Sequence, residues 1–117
     1  MNKINDCIFC RIIAKELPSK IVYEDEAVIA FEDIEPKAPV HVVLIPKMHV
    51  DRLENVKDCK IIADLFEAVK KIVSNLSGGD LKDGYRVVVN SGGDGGQTVS
   101  HLHFHIMGGR QMKWPPG

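Results

Sequence analysis

The chain has little net charge, no long apolar run and few cysteines, and each shortage removes a class of function. Its formal net charge is −1 at pH 7, so it lacks the basic excess that draws a chain to nucleic acid or to an anionic membrane surface. A small anion can still be bound, because backbone N–H groups and imidazoles need no basic protein around them. No apolar run approaches the length of a membrane span. The stretch Met1-Asn2-Lys3-Ile4-Asn5-Asp6 has no apolar signal-peptide region. With three cysteines and no export signal, a reducing cytoplasm is the expected location. Internal repeats and low-complexity segments are absent too. What remains, 44% hydrophobic and 26% charged residues over 117 positions, fits one domain, 1–117, with a real but small core.

Apolar periodicity places the elements. Ile8 to Glu16 is expected to form a short helix with Ile8, Phe9, Ile12 and Ile13 on one side, stopped by Leu17-Pro18-Ser19. Ile21 to Tyr23 and Val28 to Phe31 have strand character, and Glu24-Asp25-Glu26 suits the turn between them. Val42 to Ile45 is a buried strand closed by Pro46. Asp58 to Leu76 is the one long helix, with Ile62, Phe66, Val69, Val73 and Leu76 facing inward, Asn55 as N-cap and Gly78-Gly79 as its end. Cys59, alone on that helix, fits a small core residue. Tyr85 to Val89 and His103 to Met107 complete five strands. Several strands are joined too closely for parallel crossovers, so the class is α+β with a mainly antiparallel sheet.

Histidine is scarce, yet three of the five fall in His101-Leu102-His103-Phe104-His105-Ile106-Met107. In extended backbone the side chains alternate between faces. The three imidazoles therefore line one face, and Leu102, Phe104 and Ile106 point to the core. Such a row can supply a nucleophile, a proton donor and a hydrogen-bond donor close to neutral pH. Without context it also suits a zinc site, since paired histidines on a strand hold metal in some enzymes. The flank decides between them. Asn90-Ser91-Gly92-Gly93-Asp94-Gly95-Gly96-Gln97-Thr98-Val99 is rich in glycine and runs straight into the row. Glycines let backbone N–H groups approach an anion closely. Anion-binding backbone beside a nucleophile-rich strand suggests chemistry on a phosphate.

These blocks together resemble the histidine-triad (HIT) family, and its Hint branch in particular. The resemblance runs from about Ile8 to Gly117. It includes Phe31-Glu32-Asp33-Ile34, Ala38-Pro39-Val40-His41, Ile45-Pro46-Lys47-Met48-His49, the Asn90 to Val99 loop and the tail Gly108 to Gly117. It implies a HIT-like fold: a five-stranded, mainly antiparallel sheet with one short and one long helix. The middle histidine, His103, would be the nucleophile, with His41, His101 and His105 assisting and Thr98 near the leaving group, where the family usually has serine. Neutral imidazole attacks phosphorus well and leaves well, which splits one difficult displacement into two easier ones. Asp33 would accept hydrogen bonds from both ribose hydroxyls, since a carboxylate accepts and does not donate. Asn90, Gly96 and Gln97 would lie beside ribose and phosphate, and Phe9, Ile12, Phe31 and Ile34 would form the base slot.

Cys7-Ile8-Phe9-Cys10 is a separate signal. Cys-x-x-Cys indicates zinc or redox chemistry, but no strand precedes it as a thioredoxin-type role requires. A tetrahedral zinc needs two further ligands. Some HIT relatives with this pair recruit the residues matching His49 and His101, so the resemblance implies a structural zinc on Cys7, Cys10, His49 and His101. A pair of free buried thiols is the alternative. No cofactor is expected to be required for catalysis.

The activity implied is hydrolysis of purine nucleoside 5′-monophosphoramidates of the AMP or GMP type through a nucleotidyl-histidine intermediate. Rival readings are a dinucleoside polyphosphate hydrolase, a nucleotidyltransferase, or a nucleotide-binding module without physiological catalysis. The expected partners are a purine nucleotide and a second copy of the chain, with no nucleic acid and no membrane. In the Hint branch the tail, here 108–117, crosses a homodimer interface. Trp114 beside Pro115-Pro116 is an aromatic anchor where a chain end would otherwise fray. It would reach the nucleotide site of the partner.

Overall fold

The computed structural model describes residues 6–76 and 81–117, apart from the side chain of Leu76. Strands β1 (Ile21–Glu24), β2 (Val28–Glu32), β3 (Val40–Pro46), β4 (Tyr85–Val89) and β5 (Phe104–Gly108) form one sheet in the order β1-β2-β3-β5-β4. Every neighbouring pair is antiparallel. Helix α1 (Ile8–Ile13) precedes the sheet, and α2 (Lys60–Leu76) lies between β3 and β4. The fold is the expected α+β one, a five-stranded antiparallel sheet with one short and one long helix. The connection through α2 leaves a gap beside β3, and β5 fills it.

Strand alternation divides the core in two. Val28, Ala30, Val42, Leu44, Phe104 and Ile106 pack with Leu65, Ala68, Val69 and Ile72 of α2. Ile29, Phe31, Val43 and Ile45 pack with Phe9, Cys10 and Ile12 of α1. With a helix on each face, β2 and β3 become continuous apolar runs. Leu65 is fully buried, so Leu65→Ala would destabilise by about 2–5 kcal/mol.

Several sequence expectations shift. Helix α1 ends at Ile13, three residues early, because its carbonyls are satisfied there. Lys15 N–H bonds to Ile12 O, Glu16 N–H bonds to Arg11 O, and Lys15 holds the left-handed conformation at φ 62°. Ile8 is half exposed, so the helix buries a narrower face than expected. On α2, Phe66 is also half exposed and meets Phe104 only with its ring edge. The buried centre of the stripe is Leu65, Ala68 and Ile72, one row over. Asn55 closes a short 3-10 turn, Leu53–Asn55, and donates to Asp51. The carboxylate that accepts from Lys60 N–H at the start of α2 is Asp58. Cys59 is exposed rather than core. Gly78-Gly79 lie outside the described residues. The ladder of β5 begins at Phe104, so His101 and His103 precede it. Their side chains nonetheless keep the alternation: Leu102 joins the α2-side core, while Phe9 of α1 meets His101 and His103 edge-on.

Candidate active site and metal centre

Register brings the histidines together. Val43 pairs with His105 and His41 with Met107 across β3 and β5. His41 and His105 therefore project from one face as diagonal neighbours, with His41 Nε2 and His105 Nδ1 2.9 Å apart. His103 lies next along that face, its ring centroid 5.0 Å from that of His105 and 5.1 Å from that of Phe9. The three rings line a cleft of about 680 Å³. Phe9, Ile12, Phe31, Ile34, Val43, Val88 and Met107 supply its apolar wall, and Asp33, Asn90, Gly96 and Thr98 its polar side.

Backbone partners assign the ring protons. His103 Nδ1 donates to His101 O at 2.7 Å, so its Nε2 carries the free lone pair. Lys37 N–H donates to His41 Nδ1 at 3.0 Å, which leaves the His41 proton on Nε2. That proton is shared with His105 Nδ1, so the His105 proton sits on Nε2. The cleft thus holds one imidazole prepared as a nucleophile and one prepared as a donor. Burial, the largest influence, keeps His103 and His41 below the ordinary histidine range, although the Asp33 carboxylate opposes it. Burial and then the neighbouring rings of His103 and His41 lower His105 to about 4. All three are thereby biased toward the neutral form that nucleophilic attack requires. Asp33 Oδ2 lies 3.4 Å from His41 Nε2; with His41 neutral, this is a polar contact rather than an ion pair. Asp33 Oδ1 accepts from Glu35 N–H.

The glycine-rich loop closes mainly on itself. Gly96 N–H bonds to Gly93 O, Gln97 N–H to Gly92 O, and Gly92 N–H to Gln97 Oε1. These three donors, which the sequence offers to an anion, are engaged inside the loop. Gly92 and Gly96 take φ of +76° and +81°, which side-chain-bearing residues rarely adopt. The Gln97 amide donates to Asp51 O and Val99 O, so it braces the loop and does not line the cleft. His101 is fully buried and also lies off the cleft. Trp114 is 82% exposed and outside the cleft of its own chain, with the tail tied back by Arg86 Nη2 donating to Lys113 O.

His101 belongs to a second cluster with Cys7, Cys10 and His49, whose donor atoms all lie within 4.8 Å of one another. His49 Nδ1 is 3.2 Å from His101 Nδ1 and from Cys10 Sγ, and His101 Nδ1 is 3.4 Å from Cys7 Sγ and 3.6 Å from Cys10 Sγ. In a tetrahedron with Zn–N of about 2.05 Å and Zn–S of about 2.3 Å, N···N edges come to about 3.3 Å and N···S edges to about 3.6 Å. The four residues match that ion. His101 Nε2 donates to Pro46 O at 2.9 Å, which turns its bare Nδ1 toward the thiols, the usual support for a metal-binding histidine. Asp33, His41 and His105 also group closely. There the Lys37 N–H keeps the proton on His41 Nε2, the atom a metal would need. This second group suits proton sharing rather than metal.

Sequence reasoning missed Lys37 as a site residue. Its contribution is a backbone N–H, and no side-chain pattern reveals that. Val88 and Met107 could have been found by extending the alternation of their strands. Among the described residues, no helix is long and apolar enough to cross a membrane.

The HIT domain model matches residues 14–112. A 14 kDa zinc-binding protein of Zea mays is 50% identical over 113 residues, which cover 94% of this chain and 87% of that protein. An uncharacterized HIT-like protein of Synechocystis is 46% identical over 96% of this chain and 97% of its own. Among solved structures, a HIT family hydrolase from Legionella pneumophila superposes with a TM-score of 0.88 at 42% identity, covering 95% of this chain and 99% of that one. A histidine triad protein from Clostridium difficile gives 0.86 at 43%, covering 92% and 94%.

Proposed function

The chain belongs to the HIT domain family and has the fold of its hydrolases, and from that premise we propose that it cleaves the P–N bond of purine nucleoside 5′-monophosphoramidates, as the Hint branch does. One observation carries the reading: His103 Nδ1 is held by His101 O, so a neutral Nε2 faces the cleft with its lone pair free. That lone pair forms a bond to the α-phosphorus as the P–N bond breaks, and the nitrogen takes a proton from solvent and leaves as an amine. Water then attacks phosphorus as the bond to His103 Nε2 breaks. The nucleoside monophosphate departs, and the proton that the water loses returns to solvent. His105 Nε2–H donates to a phosphate oxygen, and Thr98 lies toward the leaving group. Asp33 takes the ribose hydroxyls, Asn90 and Gly96 lie beside the phosphate, and the base enters between Phe9, Ile12, Phe31 and Ile34.

Cys7, Cys10, His49 and His101 would hold a zinc ion, in keeping with the name of the maize relative. When bound it supplies a structural cross-link outside the reacting centre. The protein acts as a homodimer. β4 is a sheet edge that a second copy would cover, and the tail with Trp114 would then reach the partner's cleft.

The test is a kinetic panel of adenosine and guanosine phosphoramidates against dinucleoside polyphosphates, with His103→Ala alongside. Phosphoramidates should turn over fastest. The variant should lose turnover while binding nucleotide within about tenfold of wild type (about 1.4 kcal/mol). Faster turnover of dinucleoside polyphosphates would move the chain to another branch, and near-normal kcat in the variant would remove His103 as nucleophile.

A further inference from the structure

Arg110 stands at the first turn of the C-terminal tail and does not line the cleft, yet it touches the loop that sets the histidine protons. Its Nη2 donates to Lys37 O at 2.9 Å. Lys37 is the residue whose N–H fixes His41 Nδ1. His41 in turn fixes His105 through the 2.9 Å contact between their rings. The approach is built into the backbone. Gly109 takes φ of +89°, and a Cβ there would meet Pro39 Cβ at 2.8 Å. The tail therefore turns across Pro39, where only glycine fits comfortably, and Arg110 arrives over Lys37. The same loop is bound internally by Lys37 Nζ to Glu35 O and Glu35 N–H to Asp33 Oδ1.

We propose that Arg110 is a positioning residue: by clamping Lys37 O it holds the Lys37 N–H on His41 and so keeps the proton of His105 aimed into the cleft. The kinetic part rests on the reading of the cleft as a hydrolase site. The structural part does not. One arginine–carbonyl bond joins the tail to the proton order of the active site. A change in the tail's docking then changes turnover without any tail residue touching the reacting phosphorus. Lysine at this position keeps a charged donor but lacks the planar fork of arginine, so it restores the contact in part.

The experiment compares wild type, Arg110→Ala and Arg110→Lys. Correlation spectra of 15N-histidine-labelled protein read the tautomer of His41 directly, and steady-state kinetics with an adenosine phosphoramidate read kcat and KM separately. Wild type should show His41 protonated on Nε2. Arg110→Ala should mix the two tautomers and lower kcat by about five- to tenfold, the scale of one ordinary net hydrogen bond. KM should stay within about twofold, because the ribose and base contacts are untouched. Arg110→Lys should recover a sizeable part of both signals. An unchanged His41 tautomer in Arg110→Ala overturns the proposal, whatever happens to KM. If wild type turns over no phosphoramidate, the proposed activity fails, and the tautomer comparison still decides the role of Arg110.

Discussion

Replacing Cys10 by serine tests the metal centre most directly. The cluster joins three stretches far apart in sequence: the first turn of α1, the segment after β3 that carries His49, and the approach to β5 that carries His101. An ion held there binds the folded chain and not the unfolded one. It stabilises by RT ln(1 + [L]/Kd), about 2.7 kcal/mol when free zinc stands a hundredfold above Kd. In a domain near this size, 1 kcal/mol moves the melting temperature by about 4–8 °C, so the ion is worth about 10–20 °C. Serine stays protonated and is a poor zinc ligand, so Cys10→Ser should lose most of that. Binding also releases protons. Burial, followed by the bond and charge of Cys7, pushes the Cys10 thiol up to about 11, so metal occupancy should fall as pH falls. The assay is metal analysis plus thermal unfolding of both proteins, with and without chelator. Chelator should bring wild type down to the variant and leave the variant unmoved. Wild-type protein purified without chelators and free of zinc would refute the reasoning, as would an equal chelator effect on both proteins.

Asp33→Ala should weaken ribonucleotide binding by about 1–3 kcal/mol and affect 2′,3′-dideoxy analogues much less; equal losses by calorimetry would take Asp33 off the ribose. His105 has a folded value of about 4 against an ordinary value near 6.5, so the unfolded chain takes up its proton first. Its contribution to stability is therefore whole above about pH 6.5 and is lost as pH falls toward 4. The acid limb of kcat should likewise lie well below 6.5, and an apparent midpoint at or above 6.5 would contradict a neutral His41–His105 pair. Removing Trp114 to Gly117 should change kcat/KM and substrate preference while moving the melting temperature by less than a few degrees, because Trp114 packs little against its own chain. A monomer by sedimentation of the intact chain, or unchanged preference in the shortened one, would rule out a tail shared between subunits.

Local pattern determined a large share of this protein. Alternation in His101 to Met107 assigned Leu102, Phe104 and Ile106 to the core and the imidazoles to the opposite face, because extended backbone alternates whether or not it is laddered. The spacing Cys7-x-x-Cys10 survived for a similar reason: it occupies one helical turn, and α1 forms from local bonds. Phe66 and Asn55 depart from expectation because periodicity finds a stripe but not its centre, and because a carboxylate closer to the helix, Asp58, accepts the bond expected of Asn55. What the chain alone could not decide is everything carried by register and by carbonyls. His41 meets His105 only because β5 inserts between β3 and β4 with Val43 opposite His105. The bonds that orient the rings end on His101 O and Pro46 O and begin at Lys37 N–H. Every residue carries such backbone groups, so no sequence pattern marks which will be used. Only the folded path of the chain selects them.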